Sequence, residues 1–119
     1  MKKVISIVLI TLVLQLTILA EATINLPTRA DPVDRSGTIT AGGASQVLAP
    51  ALPGRLYFEF QNISDITMYI NFSAAATVDG NSFKLVAGAS YITGGLFCPN
   101  GTITIIGATT GKKFIAKEY

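Results

Sequence analysis

The sequence predicts an all-β protein: a single antiparallel β-sandwich or small barrel of about eight short strands, preceded by an N-terminal apolar helix. Three observations predict it. From Arg55 to Phe72, RLYFEFQNISDITMYINF, apolar and polar residues alternate on both sides of a short polar turn. From Gly37 onward, short β-rich runs recur between clusters of Gly, Pro, Asn and Asp. Outside residues 4–20 no apolar stripe has helical spacing.

The chain has 119 residues, enough for one domain. It opens with Met1-Lys2-Lys3, the apolar run Val4 to Ala20, and Ala20-Glu21-Ala22. Two lysines, an apolar stretch and small residues at 20 and 22 match the three parts of a secretory signal peptide. As a helix the run would span roughly 26 Å, slightly short of a ~30 Å hydrocarbon core. Gln15 interrupts it near the middle. Residues 1–22 are therefore read as a signal peptide or membrane anchor, with a non-membrane extension as the third reading. Thr23 to Ser36, TINLPTRADPVDRS, carries two prolines and no periodicity, so it reads as an extended arm or linker.

The β domain is expected over 37–119. Its expected strands are Thr38–Thr40, Gln46–Leu48, Arg55–Asn62, Thr67–Phe72, Ser82–Val86, Ser90–Thr93, Thr102–Ile106 and Lys113–Lys117. Parity along these runs assigns Leu56, Phe58, Phe60, Met68, Ile70, Phe72, Phe83, Leu85, Ile103 and Ile105 to one buried core. Arg55–Asn62 and Thr67–Phe72 read as an antiparallel pair across the turn at Asn62 to Asp65. Tyr57 and Tyr69 then lie on opposite-face positions of adjacent strands. Such a pair stiffens a sheet, stacks on sugars or anchors an interface.

Composition excludes most chemistry. There is no histidine, so the commonest general base and metal ligand are missing. Cys98 is alone, which rules out an intramolecular disulfide and thiolate zinc sites. It reads as a small apolar core residue. Without bridges, stability must come from β packing, oligomerisation or both. From Thr23 onward seven Lys/Arg stand against six Asp/Glu, a near-neutral balance without a basic stripe, so nucleic acid is not the expected ligand. The aspartates in turns, Asp65 and Asp79, are expected to bond their own backbone. Gly107-Ala-Thr-Thr-Gly111-Lys112 lacks the spacing and the Ser/Thr of a phosphate loop and reads as a hairpin turn. Asn62, Asn71 and Asn100 head formal glycosylation triplets. No catalytic, cofactor-binding or metal residues are assigned, and no enzyme activity is expected.

Several phrases together resemble a known group. They are Asp31-Pro-Val-Asp-Arg-Ser-Gly-Thr-Ile-Thr40, Phe60-Gln-Asn-Ile-Ser-Asp65, Met68-Tyr-Ile-Asn-Phe72, Ser82-Phe-Lys-Leu-Val-Ala-Gly88 and Thr104-Ile-Ile-Gly-Ala-Thr-Thr-Gly-Lys112. Over about residues 28–119 the chain is similar to small β-rich proteins of tailed phages and prophages, regarded as virion structural or head-decoration components. That resemblance implies a non-catalytic bacteriophage part that self-associates or docks on a capsid lattice. Its partners would be further copies or other virion proteins, and its location the virion. The export-like N-terminus departs from that group and supports the alternative, an exported surface or periplasmic binding module for a glycan or protein. Residues 4–20 are the expected membrane contact. Tyr57, Tyr69, Arg29, Asp31, Asp34 and Arg35 are the expected interface residues.

Overall fold

The computed structural model describes residues 31–94 and 97–119, which hold nine short strands. They are β1 Val33–Asp34, β2 Gly37–Thr38, β3 Gln46–Ala49, β4 Tyr57–Asn62, β5 Met68–Asn71, β6 Phe83–Leu85, β7 Ser90–Gly94, β8 Ile103–Gly107 and β9 Lys113–Glu118. All eight expected strands are present, with ends displaced by a residue or two. β1 is additional; it lies in the segment read as an arm. The expected N-terminal helix falls outside the described residues. Among the described residues no helix is long and apolar enough to cross a membrane.

Two antiparallel sheets form. The first has the order β1-β9-β4-β7, with β2 also pairing β9. The second has the order β3-β8-β5-β6. The pairing is nested: β5 with β6, β4 with β7, β3 with β8, and β1 and β2 with β9. Successive levels of this long folded hairpin alternate between the sheets, and the β9–β4 and β8–β5 ladders then close each sheet. This is the jelly-roll strand order.

Both sheets contribute to one core. Phe58, Phe60, Phe114 and Ala116 of the first meet Leu48, Met68, Ile70, Leu85, Ile103 and Ile105 of the second. β4 alternates as expected: Phe58, Phe60 and Asn62 are buried, while Tyr57, Glu59 and Gln61 are more exposed. The Phe60 and Phe114 rings stack at 5.7 Å, and Phe58 meets Phe72 edge-on at 6.2 Å across the sandwich.

Four expectations need correction. β4 and β5 are not a hairpin pair: β4 bonds β7 and β9, whereas β5 bonds β6 and β8 in the other sheet. Alternation reports a buried face, and both sheets face the same core, so parity alone is blind to which sheet a strand joins. For the same reason Gly107 to Lys112 is no hairpin turn. It carries the chain from β8 in the second sheet to β9 in the first. Gly111 makes that turn in the left-handed region, at φ +80°. Leu56 is 51% exposed. It precedes β4, so strand parity does not govern it, and Arg55 turns inward instead. Phe83 is 50% exposed because β6 is an edge strand, with no further strand beyond it among the described residues.

Polar anchors hold the connections. The Asn62 side chain is fully buried; its amide donates to the Ile66 carbonyl at 2.7 Å and the Leu85 carbonyl at 3.0 Å. Its oxygen accepts from the Ser64 N–H and hydroxyl. Asn71, also buried, accepts from the N–H groups of Ser73 and Ala74. Both asparagines are engaged inside the fold, so their triplets do not present an accessible acceptor. Asn100 is exposed. Gly42 packs against the β8–β9 connection; a Cβ there would lie 2.5 Å from the Ala108 carbonyl oxygen.

Candidate interface on the outer face of the first sheet

The alternation that buries Phe58 and Phe60 sends Tyr57, Glu59 and Gln61 to the outer face of the first sheet. Register places Glu59 between Ile92 of β7 and Lys117 of β9, and Gln61 between Ser90 and Ile115. In β9, Phe114, Ala116 and Glu118 point inward, so Lys113, Ile115 and Lys117 point outward. The result is a mixed surface of aromatic, aliphatic and charged groups, with Ile92 65% exposed.

Two adjoining depressions mark this face. One, of about 130 Å³, is lined by Glu59, Phe60, Gln61, Ser90, Ile92 and Ile115. The other, of about 250 Å³, is lined by Pro32, Tyr57, Glu59, Lys117 and Tyr119. Glu59 belongs to both. Its Oε2 accepts from the Tyr57 hydroxyl at 2.8 Å. The Tyr57 and Tyr119 rings stack at 4.8 Å, 16° from parallel.

The expected interface residues do not all converge here. Tyr57 and Asp34 do. The Asp34 carboxylate accepts from the Ser36 N–H at 2.8 Å, and Ser36 holds its acid below the usual range. Asp31 is exposed at the entrance to β1. Tyr69 is on β5 in the second sheet, opposite Lys84 and Ile106, so it is no cross-strand partner of Tyr57. Tyr57 pairs with Tyr119 instead. Arg35 turns inward, its Nε 2.6 Å from Glu118 Oε1. Arg29 falls outside the described residues.

Beneath this face, at the end of the sandwich, lies a buried ionic cluster that sequence reasoning passed over. Arg55 donates through Nε to Glu118 Oε2 at 2.7 Å, and both side chains are fully buried. Its Nη1 donates to the Pro99 and Gly101 carbonyls and its Nη2 to the Pro50 carbonyl. One guanidinium thus ties the β3–β4 connection and the β7–β8 connection to the last strand. The available signal was parity: after Phe114 and Ala116, the next inward residue of that run is Glu118.

Cys98 packs against the core from a half-buried position, and burial pushes its thiol pKa up. Asp65 pairs with Lys112 Nζ at 2.6 Å, linking two inter-sheet connections, and Lys112 lowers its pKa. The expectation that Asp65 serves its own turn captures only the smaller part of its environment. Among the described residues no three His, Cys, Asp or Glu side chains gather as a metal site would require. No family model, curated protein or solved structure matches this chain.

Proposed function

We propose that this protein is a non-catalytic bacteriophage virion component, a structural or capsid-decoration subunit that works by self-association or by docking on a lattice. The nested jelly-roll order is the observation that carries this reading, because viral capsid domains are a principal use of that architecture. The sequence resemblance over about residues 28–119 adds to it, as does a proline-bearing segment that leads into an edge strand. Particles purified by density gradient from cells carrying the gene should contain the chain in fixed stoichiometry. Recovery only as a free monomer, absent from particles, would overturn the reading.

The alternative is an exported glycan- or protein-binding module. It draws on the Tyr57–Tyr119 stack beside two depressions, a surface that suits a sugar ring. Here the chain should begin at Thr23 by mass spectrometry, and Tyr119→Ala should abolish glycan retention.

A further inference from the structure

We propose that the outer face of the first sheet is the docking site for the Thr23–Ala30 segment of a neighbouring copy. The inference rests on the self-association reading above and names the surface that would carry it.

The entry point of the chain is the first reason. Pro32, just before β1, already lines the depression with Tyr57, Glu59, Lys117 and Tyr119. The described chain therefore begins at the rim of this face. The segment's reach is the second. Its eight residues span at most about 28 Å when extended. The face from β9 to β7 is only two strand spacings wide, roughly 10 Å. The segment is thus longer than the face is wide, so it can lie across the whole of it.

Chemistry is the third reason. Ile24 and Leu26 alternate with Thr23 and Asn25, which gives the segment one apolar edge. Ile92 and Ile115 supply exposed apolar surface in the first depression. Arg29 is the segment's one cation. Glu59, shared by both depressions, has no ion-pair partner within 4.0 Å among the described residues. Arg29 and Glu59 are opposite in sign, with Lys117 across the ladder from that carboxylate, and an Arg–carboxylate contact fixes register. Exchange of the same segment between identical copies is a low-cost route to association.

The test uses the full chain in a Cys98→Ser background. One preparation carries Leu26→Cys and an affinity tag; the other carries Ile92→Cys without a tag. Mixed and oxidised, they should give a cross-linked heterodimer. In the double variant of a single chain, a cross-link that forms only within one chain would overturn exchange, and no cross-link would overturn docking altogether. Arg29→Glu and Glu59→Arg should each weaken association about tenfold, and combining them should restore it. Unchanged association in both single variants would also overturn the proposal. If the chain is found in particles but these cross-links fail there, only this surface is wrong. If the cross-links form but particles lack the chain, the virion reading fails and the docking surface stands.

Discussion

Glu118 carries more of the local architecture than its place one residue from the end would imply. It accepts from two arginines, and Arg55 in turn satisfies three carbonyls from two connections. A buried ion pair of this kind adds little net stability over an apolar replacement, because desolvating both charges offsets their attraction. Removing one partner is different, since it leaves the other charge buried alone. Glu118→Ala should therefore cost about 3–5 kcal/mol in denaturant unfolding. A midpoint equal to wild type would show that Arg55 is not held as described. Asp65 offers a gentler test at the surface. Its pKa is lowered in the folded state, chiefly by its hydrogen bond to Lys112. A depressed carboxylate contributes stability above its unfolded pKa, near 3.8, and loses it as pH falls through the folded value. Below about pH 4 the wild type should lose stability more steeply than Asp65→Asn. Identical profiles would remove the pair from the account. The exposure of Asp65 keeps the effect small.

At the scale of strands, position within a sheet separates residues that parity treats alike. Phe58 sits on β4, flanked by β7 and β9, and is fully buried. Phe83 has the same apolar character but lies on the edge strand β6, where its ring touches Phe72 at 5.4 Å and Tyr91 at 5.3 Å while half its surface stays in water. Phe58→Ala should cost about 3–5 kcal/mol. Phe83→Ala should cost about 1 kcal/mol, as only part of its area leaves water on folding. Thermal unfolding of the two variants checks the ranking. Equal losses would mean that β6 is covered in the folded protein.

For the molecule as a whole, the nested order ties the beginning of the described chain to its end. β1 and β2 both pair with β9, and the Arg35 N–H donates to the Ala116 carbonyl at 2.8 Å. Two truncations should therefore behave differently. Removal of Thr23–Ala30 should leave the melting temperature unchanged and reduce association in sedimentation. Removal of Thr23–Ser36 also deletes β1, Arg35 and the Ser36 hydroxyl that bonds β9. It should cost about 2 kcal/mol or more, because Glu118 loses a partner and β9 loses an edge. If both truncations melt together, the β1–β9 pairing is not a structural element. Contacts this distant in sequence also favour slow folding, in the millisecond-to-second range of all-β domains.

Local chemistry by itself determined the all-β class, the eight main strands, the inward faces of β4, β5 and β8, and the turn positions. These follow from period-two alternation and from residues such as Gly111 that fit special backbone angles, and both are written into neighbouring positions. Most of the core, from Phe58 and Phe60 to Ile103 and Ile105, was legible for the same reason. Sheet membership was not. Placing β4 and β5 in different sheets, and Tyr57 beside Tyr119 rather than Tyr69, needs partners tens of residues away. Only the tertiary structure decided those pairings, because both sheets press on one core and either assignment buries the same side chains. It alone also decided the Arg55–Glu118 pair and the outer face around Glu59. The members of those groups are far apart along the chain and become neighbours only when β9 closes the first sheet.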